Sequence, residues 1–243
     1  MISLPNKKLN DKEMLSSFLK GKMYGGAEAV ICHSDRTDSV YKIFSDKGII
    51  VPMGDCKEDK INILYNKNLD FSTKIISTIS YRGDIVGYEM FFDEELVSQP
   101  IYNFCYNIEE LIYFFKKTKE ILEYFKDNDI LYGDVADRNI LFNKHTGEIV
   151  FCDMDNVKIG YRQIDTMPLD LFDYQDRRGI DYGVHPYMHN KMLLRAFGYD
   201  EFNVDAKLFK NYLKLASKKT IASMIRPEDF DDTYLIDFIR KLK

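Results

Sequence analysis

The chain has 243 residues, 45% hydrophobic and 30% charged, a composition that suits one large domain or a two-part unit with a sizeable core. A formal net charge of −5 excludes a uniformly basic protein built to coat nucleic acid or an anionic membrane, so neither is an expected partner. The four cysteines, Cys32, Cys56, Cys105 and Cys152, are scattered without a C-x-x-C pair, and the four histidines form no metalloenzyme motif, which points to reduced thiols in a cytoplasmic protein without structural zinc.

The opening stretch "MISLPNKKLNDKEM" has no apolar core of the signal-peptide kind, and no segment approaches 18 continuous apolar residues, so neither a leader nor a membrane span is expected. "AEAVICHS" and "DSVYKIF" are short β-type runs joined by the polar cluster "HSDRTD", a hairpin pattern. In "KEDKINILYNKNL", Ile61, Leu64 and Leu69 fall at roughly helical spacing, which predicts a helix over about 56–68. "TKIISTISYRGDIVGYEMFF" reads as strand, tight turn at Arg82-Gly83-Asp84, strand. After Pro100 the pattern changes: "NIEELIYFFKKTKEILEYFKDND" is an amphipathic helix with Ile108, Leu111, Ile112, Phe115, Ile121, Leu122 and Phe125 on one face, and Asn107 with Glu110 suits a capping box. "ILYGDVADRNILF" and "EIVFCDMDNVKIG" follow, separated by the turn "NKHTGE". The remainder reads as mostly helical and is punctuated by Pro168, Pro186 and Pro227. The expected organisation is a small α+β part over 1–92, with strands around one helix, and a mostly helical part over 93–243.

Chemistry concentrates in the two apolar segments after the long helix. Asp134 and Asn139 stand five positions apart on a loop, and Asp153 follows at the end of the second run. Asp and Asn also favour plain turns, but a carboxylate ending a buried strand needs a cation or donors. Phosphoryl transfer needs such a set: one aspartate to orient or deprotonate the attacking hydroxyl, and hard oxygen ligands for Mg²⁺.

Tyr132-Gly133-Asp134, Asn139 and Asp153-Met154-Asp155 resemble the catalytic loop H-R-D-x-x-x-x-N and the metal-binding D-F-G of protein-kinase-like enzymes. "FCDMDN" departs from D-F-G and is similar to atypical bacterial kinases of that superfamily. The resemblance extends over about residues 20–160 and implies a bilobal kinase-like fold that uses ATP and Mg²⁺. Gly25 and Gly26 resemble the glycine-rich loop over the phosphates, where glycine allows close backbone approach. Lys42 in "VYKIF" resembles the phosphate-binding lysine of V-A-I-K, with Glu58 its expected helix carboxylate and Asp59 the alternative. "GYEMFF" resembles the hinge, so Glu89, Met90 and Phe91 are expected at the adenine edge. Asp134 is then the catalytic aspartate and Asn139 and Asp153 the metal ligands, with Asp155 an alternative to Asp153.

Three departures bear on the acceptor. Tyr132 and Gly133 replace the family's histidine and arginine, and Ala136 replaces the lysine of serine/threonine kinases, which leaves Arg138 to supply positive charge near the γ-phosphate. The absent arginine implies activity independent of loop phosphorylation. The leading expectation is transfer to a protein hydroxyl, Ser or Thr. The alternatives are a small-molecule kinase of the aminoglycoside type, with Asp170, Asp173 and Asp176 facing a cationic acceptor, and a nucleotide-binding pseudokinase that serves as an interaction module.

Overall fold

The computed structural model describes residues 2–19, 22–25, 28–98 and 108–160, with His185, Met188, His189 and Met192. The chain is a mixed α+β protein in two compact units, Met1–Leu96 with Val150–Asp155, and Val97–Ile149 with Asn156–Lys243.

The first unit is built on strands β1 (Asn6–Leu9), β2 (Lys22–Gly25), β3 (Ala29–His33), β4 (Ser39–Asp46), β5 (Ile49–Ile50), β6 (Ile75–Tyr81) and β7 (Asp84–Phe91). They form one sheet in the order β1-β6-β7-β4-β3-β2, with β5 paired to β4. Only β1, against β6, is parallel. The hairpin of β6 and β7 turns on Arg82 (φ 54°) and Gly83 (φ 103°). Both central residues have positive φ, the geometry whose twist matches the flanking strands.

Among the described residues two helices belong to this unit, where one was expected. Helix α1 (Asp11–Leu19) starts at a reciprocal cap: Glu13 N–H donates to Asn10 Oδ1 at 3.0 Å, and Asn10 N–H donates to a Glu13 carboxylate oxygen at 2.8 Å. Met14 of α1 joins Leu9, Cys32, Tyr41, Ile43, Ile79 and Val86 in a buried cluster. Helix α2 (Asp55–Lys67) buries Ile61 and Leu64 and ends at Asn68, which is left-handed at φ 43°. Lys74 then donates its ammonium to the Leu69 carbonyl at 2.6 Å, a cation placed at the negative end of the helix.

Strand β11 (Ile149–Phe151) carries the chain from the second unit back into the first. Phe151 N–H donates to Phe71 O at 2.8 Å, and Thr73 N–H donates to Phe151 O at 3.0 Å. These backbone bonds tie 150–155 to the segment that precedes β6. The division expected after residue 92 therefore needs correction: it falls after Leu96, and the stretch with Asp153 belongs to the first unit rather than to the second.

The second unit contains β8 (Val97–Ser98), α3 (Ile108–Asp127), β9 (Ile130–Leu131), β10 (Ile140–Phe142) and β12 (Lys158–Ile159). Helix α3 buries Ile112, Phe114, Phe115, Ile121, Leu122 and Phe125. Phe114 meets Phe142 edge-on with centroids 5.9 Å apart, and Phe125 stacks on Tyr132 at 6.1 Å. Strands β9 and β12 pair antiparallel, as do β8 and β10. The Asn107 cap and the helices expected after residue 192 lie outside the described residues.

Candidate active site

In the first unit the site starts from strand register. Lys42 lies opposite Ile31 on β3 and Tyr88 on β7. Directly opposed residues share a face, so Lys42 and Tyr88 leave the sheet together, on the side away from Tyr41 and Ile43. Gly87 makes this approach feasible: a Cβ there would lie 2.0 Å from the Lys42 carbonyl oxygen, so no larger residue fits beside the lysine.

The Lys42 ammonium ion-pairs with Asp153 and Asp155, 111 and 113 residues further along the chain. Asp155 is fully buried (0% side-chain exposure), while Asp153 keeps 29%. Asp155 also accepts from Tyr88 Oη at 2.7 Å and from Lys57 Nζ at 3.4 Å. Lys57, in the first turn of α2, reaches Glu28 at 2.8 Å and stands 4.7 Å over the Phe44 ring. Two ammonium groups thus face two aspartates in a largely dry place, and this is how such charges are tolerated. Burial alone would lower the Lys42 pKa, but Asp155 and then Asp153 reverse this and hold it above the ordinary lysine value. Burial likewise works to raise Asp155, and the Lys42 charge overrides it, so the carboxyl stays below its usual range. Burial, then the Asp155 charge, pushes the Tyr88 phenol well up, which keeps it a donor. Asp153 sits at φ 62°, a left-handed conformation uncommon for a residue with a side chain and often found at functional positions.

In the second unit a short 3₁₀ turn, Asp137–Asn139, follows the extended Ala136. The turn brings residues 138 and 139 back toward Asp134. Arg138 donates to both Asp134 carboxylate oxygens, at 2.7 and 2.8 Å. Asn139 donates its amide nitrogen to Asp134 Oδ2 at 2.7 Å and to the Asp134 carbonyl at 3.0 Å. Its amide oxygen is therefore its only lone-pair-bearing end. Just before this loop, buried Tyr132 donates its N–H to His185 Nε2 at 2.8 Å, and burial lowers the His185 pKa to about 4.

Other expected site residues stand differently. The Lys42–Glu58 pair is not formed: Glu58 uses its backbone N–H on Gly54 O, neither Glu58 nor Asp59 reaches Lys42, and Lys57 is the first-turn residue of α2 that points to the cluster. One position along a helix is a rotation of about 100°, so the neighbouring residue faces elsewhere. Glu89, Met90 and Phe91 lie inside β7, a central strand with β4 on one side and β6 on the other. The Phe91 N–H donates to Lys74 O at 2.8 Å, and the Glu89 carboxylate accepts from Ser39 at 2.7 Å and Ser77 at 3.1 Å. Their peptide groups are committed to the sheet, so the expectation that these three read an adenine edge is corrected. Gly25 is the last residue of β2, opposite Val30, rather than part of a turn. Gly26 and Asp170, Asp173 and Asp176 lie outside the described residues.

Among the described residues no group of three or more His, Cys, Asp or Glu side chains could hold a metal ion by itself. A Mg²⁺ bound chiefly through phosphate and water needs only one or two protein oxygens, and in the first unit the partly exposed Asp153 carboxylate is of that hard type. Sequence reasoning gave no role to Lys57, Tyr88 or Glu28. The signals were available only in part: Asp-x-Asp points to a second carboxylate, whereas Tyr88 meets Lys42 across β4 and β7, two strands distant in the chain whose pairing has no local signature. Compared with known protein families and curated proteins, the chain matches no family model and no curated sequence.

Proposed function

We propose that the chain is an ATP- and Mg²⁺-dependent phosphotransferase of protein-kinase-like, bilobal design that moves the γ-phosphoryl group to a hydroxyl, on a serine or threonine of a protein. The observation that carries this is the ion pair of Lys42 with Asp153, two residues 111 positions apart that chain order had separately matched to a phosphate-binding lysine and a metal-binding aspartate. The Asp134–Asn139 hydrogen bond supports it independently, because the two residues expected to share a catalytic loop are joined there.

On this reading each residue has one task. Lys42 is a fixed positive charge for phosphate oxygens, and its two aspartates keep it protonated across the neutral range. Asp134 takes the proton of the acceptor hydroxyl or orients it, with its carboxylate held by Arg138 and Asn139. Arg138, 60% exposed at its side chain, can exchange Asp134 for developing phosphate charge. Asp153 and Asn139 would hold the metal ion, which when bound neutralises charge on the phosphates.

The test is transfer of label from γ-labelled ATP with Mg²⁺, alone, with a generic protein acceptor, and with small cationic alcohols. Label on protein, lost in Asp134→Ala and Asp153→Ala, is the expected result. No transfer to any acceptor would overturn the enzyme reading, and transfer only to the small molecules would move the acceptor class.

A further inference from the structure

We propose that Asp155 is the positioning residue for Lys42, doing the work that the kinase-like resemblance would give to a carboxylate on the helix. This rests on the phosphotransferase reading and names the device that aims its phosphate-binding lysine. Four observations converge. Asp155 is fully buried and ion-pairs with Lys42. Tyr88, the cross-strand neighbour of Lys42, donates to the same Asp155 oxygen at 2.7 Å, so the sheet itself orients the carboxylate. Helix α2 offers a lysine to the cluster, Lys57 at 3.4 Å from the other Asp155 oxygen. Glu58 and Asp59 have no part in it.

The two aspartates next to Lys42 then divide their tasks by environment. Asp153, partly open to solvent, is the one a metal ion and phosphates can reach. Asp155, with three donors and no exposure, has no room for a ligand and can only fix its neighbours. The clamp on Lys42 therefore travels with the segment that bears Asp153, and Lys57 couples α2 to it with the opposite sign. Aiming Lys42 does not require α2 to deliver a carboxylate. Activity should tolerate loss of the acidic residues in the α2 first turn and should fail when Asp155 loses its charge.

The experiment compares wild type, Asp155→Asn, Glu58→Gln and Tyr88→Phe in three measurements on the full chain: melting of the free protein, affinity for a fluorescent ADP, and the ATP KM and kcat of label transfer. In Asp155→Asn, ADP affinity should fall and ATP KM rise by about tenfold, with kcat down by about 100-fold, as expected when a preorganised charge is lost. Glu58→Gln should stay within about twofold of wild type in all three, because this half-buried carboxylate does not pair with Lys42. Tyr88→Phe removes one hydrogen bond and leaves the charges, so it should raise ATP KM by about threefold with little change in melting. It also carries the test if Asp155→Asn does not fold. Wild-type affinity and kinetics in Asp155→Asn, or in Tyr88→Phe should the former not fold, would overturn the proposal, as would an equal loss in Glu58→Gln. ADP binding without transfer in the wild type would remove the enzyme reading and leave the clamp to be judged on affinity alone. Neither binding nor transfer would remove both.

Discussion

Asp153 and Asp155 are two residues apart and have different surroundings, and the difference comes from their backbone. Asp153 turns through a left-handed conformation at the end of β11, and the 3₁₀ turn over Met154–Asn156 then carries Asp155 into the interior beside Tyr88. The spacing of Asp134, Asn139 and Asp153 around two apolar runs marked those three as a set, and Lys42 joined them only through the resemblance to protein-kinase-like enzymes. That resemblance misjudged Glu58 because α2 has a weak apolar stripe, and an error of one residue in helical phase exchanges an acid for Lys57. Arg138→Met should lower transfer by about 100-fold with little change in melting, since its pair with Asp134 is exposed; a large loss of stability would argue for a structural pair instead. His185 gives a pH test. Its folded pKa lies below the unfolded value, so the neutral ring stabilises the fold fully above about pH 6.5, and that contribution disappears as pH falls toward 4. Between pH 7 and 4.5 the wild type should lose up to about 3 kcal/mol more than His185→Gln in urea unfolding, whereas parallel pH curves would contradict the buried neutral ring.

At the scale of elements, the β3–β4 hairpin, the β6–β7 hairpin, α2 and α3 were legible because each is marked by period and turn chemistry. Strand β1 and helix α1 were not read, although Asn10 and Glu13 carry a capping-box signal ahead of them. The apolar content of the stretch is low, so the polar signal had no hydrophobic pattern to support it. Asn10→Ala should cost about 1 kcal/mol in chemical unfolding, the usual value of a lost cap. The hinge was misjudged for a different reason: a sequence shows that a strand ends near Phe91 but not that both its edges are paired. Gly87→Ala should be far more harmful than the cap change, by about 3 kcal/mol or more, because the added methyl meets a carbonyl inside the sheet. A near-neutral melting temperature for that variant would contradict the close approach of β7 to β4.

At the scale of the molecule, the division into an α+β part and a part led by a long helix follows from the change of pattern near Pro100. The return of Val150–Asp155 to the first unit could not be read, since it depends on hydrogen bonds between Phe151 and the segment at Phe71–Thr73, and these have no local signature. Among the described residues no helix is long and apolar enough to cross a membrane. Because the first unit borrows a segment from beyond residue 149, a fragment ending at Leu96 would lack both aspartates that neutralise Lys42. That fragment should unfold at a lower urea concentration than the first unit does within the full chain, and equal midpoints would contradict the discontinuous unit. The central claim, that Asp134 serves phosphoryl transfer, is tested most directly by the kcat of label transfer from γ-labelled ATP in wild type and Asp134→Asn. The account predicts measurable wild-type transfer and a fall of about 10³-fold in the variant, at the scale of a lost general base, with melting nearly unchanged. Equal rates in the two proteins, or no transfer by the wild type, would contradict it.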